Sequence, residues 1–241
     1  MDTTFSTTRP EDNAENRLRF IAGTAMLCAT ILAFAPKIHI GPDQTDPYST
    51  TTIIHALSML GWLGLFCVQT AVVRRGGVHL HRGLGALSSV IVIVALVSGF
   101  MVTRRFSAEM NTIHIFLGNM VLLGGFGSLY LLAVIAALKR RIDWHWRLMF
   151  LAAFAIMGPI VSRVTHALHL PGGSAAALHL ALICGISIAW DVLREQRLHP
   201  ATVAGLGIVF VLIGGAATVG LLPPLSDWTR TFVMAALPDA P

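Results

Sequence analysis

The chain is 241 residues long, 55% hydrophobic and only 12% charged, with a mean hydropathy of +0.72, whereas a soluble domain carries about a quarter charged residues. It has too few polar side chains to cover a water-exposed surface, so composition excludes a soluble globular protein and points to an integral membrane one. The formal charge of +5 has no aromatic-basic groove beside it and implies no nucleic acid; in a membrane chain an Arg/Lys excess is an orientation signal.

Residues 1–19 are polar and include four acidic residues. They predict a short disordered or interfacial tail rather than a cleavable signal peptide, whose basic start leads straight into a short apolar region. A single transmembrane domain is expected over 20–222. Seven stretches approach the roughly 20 apolar residues that cross the hydrocarbon core: 20–38, 53–73, 83–103, 113–138, 147–168, 175–192 and 202–222. Lipid offers no partner to an open backbone group and the period-2 alternation of a barrel is absent, so all seven are expected as helices. Gly158-Pro159 predicts a kink in the fifth. Residues 223–241 form a C-terminal tail too short to span, with Trp228 suited to the interface.

Basic residues alternate between the two sides. Arg9, Arg17, Arg19, Arg74, Arg75, Arg82, Lys139, Arg140, Arg141, Arg147, Arg194 and Arg197 fall on one side; Lys37, Arg104, Arg105, Arg163 and Arg230 fall on the other. The positive-inside rule puts the first set in the cytoplasm, so the expectation is a bacterial-type inner-membrane protein with its N-terminus inside and its C-terminus outside. Cys28, Cys67 and Cys184 lie in apolar runs and read as small buried hydrophobes. Gln69 and Asn119 read as interhelical hydrogen-bonding residues. Span 7 is rich in Gly, at 205, 207, 214, 215 and 220, which permits close helix packing or a homodimer.

Spans 2 and 3 resemble spans 4 and 5. Each pair opens on a histidine near its outer end (His55, His114) and leaves through a dibasic turn. Each re-enters with a His and an Arg (His81-Arg82; His145 and Arg147) and ends on arginine (Arg104-Arg105; Arg163). The expected fold is therefore all-α, with about seven transmembrane helices and with spans 2–5, residues 53–168, forming a four-helix bundle of two repeated hairpins. Four consecutive helices would carry one histidine pair near each face, His81 with His145 and His55 with His114. Two imidazoles at one depth suit a haem iron.

This 2/4 and 3/5 pairing resembles the dihaem cytochrome b561 family, and "VHLHRGLG" and "HWRLMFLAA…GPIVSR" look like an uncharacterised bacterial multi-span family. The resemblance implies two b-type haems, electron transfer across or within the membrane, and quinol or a respiratory-chain protein as partner. It implies His81 and His145 on the inner iron and His55 and His114 on the outer one. Arg82 and Arg147 would meet haem propionates, or else lipid phosphate. Arg163, His166, His169 and His179 form a further outer candidate group for quinol, protons or metal, set against a reading as a solvated rim with His179 hydrogen-bonded between helices. His39, His79 and His199 read as loop residues, with His79 an alternative to His81 as a ligand and His39 and His199 able to add to metal binding. Two other classes stay open. One is a non-enzymatic membrane protein, an assembly or interaction partner that binds metal transiently at most; the other is a small transporter, against which stands the collection of polar residues at the span ends. P-loop, GxSxG, HExxH and GxGxxG signatures are absent.

Overall fold

A computed structural model describes residues 10–38 and 48–237, with side chains over 17–35 and 48–237. His39 and the first nine residues of the N-terminal tail lie outside the described residues. The chain is an all-α membrane protein. Its helices are α1 (Pro10–Ile38), α2 (Thr50–Arg74), α3 (Val78–Glu109), α4 (Ile113–Leu138), α5 (Ile142–Ala155), α6 (Gly158–Ala167), α7 (Ser174–Glu195), α8 (Pro200–Leu221) and α9 (Pro223–Met234). Among the described residues seven spans are long and apolar enough to cross a bilayer, α5 and α6 together making the fifth. Two expectations shift at the ends. Helix α1 begins at Pro10, inside the stretch expected as a tail, and the C-terminal tail forms a helix of its own.

The break in span 5 follows from Pro159. Proline has no N–H to donate and crowds the preceding turn, so α5 stops at Ala155 and α6 restarts at Gly158. Met157 N–H donates back to the Phe154 carbonyl at 3.0 Å, a tightened turn across the gap.

The hairpin repeat extends to the turns. After α2, Gly76 takes a left-handed φ of 74° and Gly77 N–H donates to the Val72 carbonyl at 3.0 Å. After α4, Arg140 takes φ 56° and Arg141 N–H donates to the Ala136 carbonyl at 2.8 Å. Both are the Schellman closure that a left-handed residue permits at a helix end. Glycine adopts this conformation freely, whereas Arg140 has a Cβ that resists it.

The chain divides into two compact units, residues 1–47 with 56–95, and 48–55 with 96–241. In the first, Phe66 packs where Gly23 has no side chain, and the Trp62 and Phe66 rings stack at 5.7 Å. The second is built around α4, α5 and α8. Leu129, Leu148, Leu151, Ala152, Ala153 and Ala201 are fully enclosed there. Gly205 of α8 lets the backbone approach Leu129, Leu148 and Leu151 closely, the use of small residues expected where lipid supplies no hydrophobic drive. Among the described residues span 5 is the most enclosed, with 67% of its apolar window buried, in keeping with the packing of α5 on α4, α7 and α8. Span 7 thus spends Gly205 inside the chain, while Gly207, Gly214 and Gly215 face open space. Helix α9 packs on α4 and α8. Its Val233 sits in a cluster with Ala108 and Phe116, and Phe232 receives Arg104 both through its carbonyl, at 2.9 Å, and over its ring.

Candidate functional site

His145 lies in the first turn of α5, where its N–H donates to the Arg141 carbonyl. Its ring Nδ1 is 2.8 Å from the Ala133 carbonyl of α4. A carbonyl only accepts, so Nδ1 carries a proton and donates it there. This is the arrangement by which a metal-ligating imidazole is oriented and its tautomer fixed. His81 occupies the corresponding turn of α3, its N–H donating to the Gly77 carbonyl. Gly77 and Arg141 each follow the left-handed residue of their turn, so His81 and His145 hold equivalent registers.

The outer pair does not come together. His55 is half-buried on α2. Its Nδ1 lies 3.4 Å from Ser98 Oγ of α3, and its ring fills the notch at Gly99, where an added Cβ would stand 2.7 Å from Cε1. The other neighbour of that notch is Leu123 of α4, nine residues beyond His114, which is about 13 Å along a helix. His114 itself is exposed at the start of α4, where Thr112 Oγ1 accepts its N–H. The repeat explains the mismatch. From His55 to Gly76 is 21 residues, whereas from His114 to Arg140 is 26, so the two histidines do not hold the same place along their helices. The shared outer iron is withdrawn: imidazoles on one iron need their nitrogens about 4 Å apart.

Arg147 is also placed otherwise than expected. Its guanidinium is taken up by side chains of this chain. It is 4% exposed, and its Nε donates to Asp191 Oδ1 at 3.0 Å. Nη2 bonds the Glu195 carboxylate, Nη1 reaches the Asp143 carbonyl, and the guanidinium stacks over Trp146. Asp191, 1% exposed, accepts the His199 N–H on its other oxygen at 2.9 Å and bonds the Thr202 side chain. Trp146 and Phe150 meet Trp190, and Trp144 meets His199. The α5 entrance is therefore a desolvated ionic and aromatic knot that ties α5 to α7 and α8. His199 is not a plain loop residue: its Nδ1 accepts Ala201 N–H and caps α8. Arg82 remains exposed on α3.

The outer group resolves into separate structural roles. His179 Nε2 donates to the Phe154 carbonyl at 2.8 Å, binding α7 to the backbone beside the Pro159 break. Arg163 Nη1 donates to the Pro159 carbonyl at 3.0 Å. His166 is exposed on α6. His169 lies beyond α6 at φ 55°, and its departure from the helix ends the shared face with Arg163 and His166 expected from three-residue spacing. Among the described residues no three His, Cys, Asp or Glu side chains gather into a metal-ion site.

Comparison with protein-family models, curated proteins and solved structures finds no match to this chain. The sequence reading missed Asp191, Glu195 and Thr202. A signal existed: Asp191 and Glu195, spaced i and i+4 in "WDVLRE", share one helical face, and a carboxylate at the end of an apolar run calls for a named partner.

Proposed function

We propose that this is an inner-membrane electron carrier with one b-type haem ligated by His145 through Nε2. The observation that supports the reading is the Nδ1–H bond to the Ala133 carbonyl, which orients the ring and fixes its tautomer. The second ligand proposed, from the sequence repeat alone, is His81. A bound haem would supply one-electron ferric–ferrous chemistry. The chain's own contribution is the fixed tautomer, the apolar helical surroundings and the nearby fixed charges, which tune a haem potential. Arg147 contributes to that field but is not a propionate ligand, because Asp191 and Glu195 hold it. The proposed orientation keeps the N-terminus and the 139–146 turn cytoplasmic, with quinol or a respiratory-chain protein as electron partner.

The reading is tested by reduced-minus-oxidised spectra and a pyridine-haem assay on the detergent-purified protein. A Soret band is expected in the parent, lost or converted to high spin in His145→Ala and His81→Ala and unchanged in His114→Ala. A colourless parent from haem-replete cells overturns it and leaves the non-enzymatic reading. That reading draws support from the way His179, Arg147 and Asp191 are all engaged in helix-to-helix bonding.

A further inference from the structure

A cleft of about 890 Å³ opens between α1 and the end of α2 in the first unit. Arg17, Arg74 and Arg75 line its polar half, and Leu18, Ile21 and Ala71 line its apolar half. Among the described residues no carboxylate lines it. All three arginines are exposed, and the Arg74 guanidinium is carried over the Phe20 ring at 5.4 Å, which gives it a defined seat.

The depth of this cleft identifies its ligand. Arg17 stands just ahead of the apolar run that starts at Phe20 and Arg74 is the last residue of α2, so the arginines that share this cleft mark the polar end of both spans. Leu18, Ile21 and Ala71 lie immediately on its apolar side. Like charges facing one cleft repel unless an anion lies between them. Guanidinium groups match phosphate oxygens in a bidentate fork, and a basic cluster at the interface attracts anionic headgroups. A molecule satisfying both halves has a phosphate at headgroup level and a hydrocarbon chain below it.

We propose that this cleft binds an anionic phospholipid, with its phosphate held by Arg17, Arg74 and Arg75 and an acyl chain lying along Leu18, Ile21 and Ala71. The site is independent of any haem. Its basic face accounts for arginines that an orientation signal alone would leave without a ligand.

The test is native mass spectrometry of the full-length protein released from vesicles of equimolar phosphatidylglycerol and phosphatidylcholine. Phosphatidylglycerol should be retained preferentially, and each Arg→Gln change should lower that preference by about fivefold, from roughly 1 kcal/mol per interfacial cation. The triple Arg17→Gln/Arg74→Gln/Arg75→Gln variant should reach parity between the two lipids, whereas Arg197→Gln, on another basic connection, should leave the preference intact. Arg74→Lys, which keeps the charge, should retain most of it and serves if the triple variant does not fold. Equal retention of both lipids by the parent overturns the proposal. Loss of the preference on adding inorganic phosphate alone overturns the lipid assignment in favour of a free-phosphate site.

Discussion

Arg147 on α5 and Asp191 on α7 meet at 3.0 Å with side-chain exposures of 4% and 1%, so a full ion pair is withdrawn from solvent inside a membrane protein. Neither charge is tolerable alone at that burial, and each is further bonded, Arg147 to Glu195 and Asp191 to the start of α8. Removing one partner leaves the other uncompensated, a loss of about 3–5 kcal/mol, whereas replacing both with apolar residues of similar size is far milder. Arg147→Met and Asp191→Leu should therefore each lower the melting temperature in detergent strongly. The Arg147→Met/Asp191→Leu double variant should melt closer to the parent than either. Strictly additive losses would mean the pair is not coupled.

Gly99 and His55 give a second coupled pair. Alanine at 99 would bring Cβ to 2.7 Å from the imidazole and 3.0 Å from Leu123. Overpacking of this kind costs about 1–3 kcal/mol. Gly99→Ala should destabilise, and adding His55→Ala should restore part of the loss. A Gly99→Ala protein as stable as the parent would show that His55 does not sit in that notch.

Two glycines of α8 separate packing from composition. Gly205→Ala places a methyl 2.5 Å from Leu151 and 3.3 Å from both Leu129 and Leu148, while a methyl at Gly207 meets nothing within 4 Å. The first should cost about 1–3 kcal/mol. The second should be neutral or slightly stabilising, because alanine is the better helix former. Melting curves of the two variants in the same detergent make the comparison.

Orientation is checked by fusion. The arginine asymmetry predicts that a reporter enzyme active only outside the cytoplasm is active after Pro241 and inactive when inserted at Gly76. The reverse pattern would invert the chain and move the basic turns to the outer face.

Seven spans and the break at Pro159 are legible in the sequence, because a bilayer demands about 20 apolar residues per crossing and proline cannot continue a helix. The equivalence of His81 and His145 is legible as well, since each sits next to a dibasic turn, where little helix intervenes to accumulate error. The outer pair misled for the opposite reason. His55 and His114 are separated from their turns by 21 and 26 residues, and over that length of helix a five-residue difference is more than one full turn. The exact left-handed residue from which to count, Gly76 in one hairpin and Arg140 in the other, is visible only in the folded backbone. Tertiary structure alone decided the fate of "DWHWRLM". Composition marks it as an interfacial anchor, but Asp191, 44 residues further on, reaches Arg147, and Trp190 meets Trp146. A buried charge is explained by whichever opposite charge the packing brings to it, and one strand of sequence carries no record of that distance.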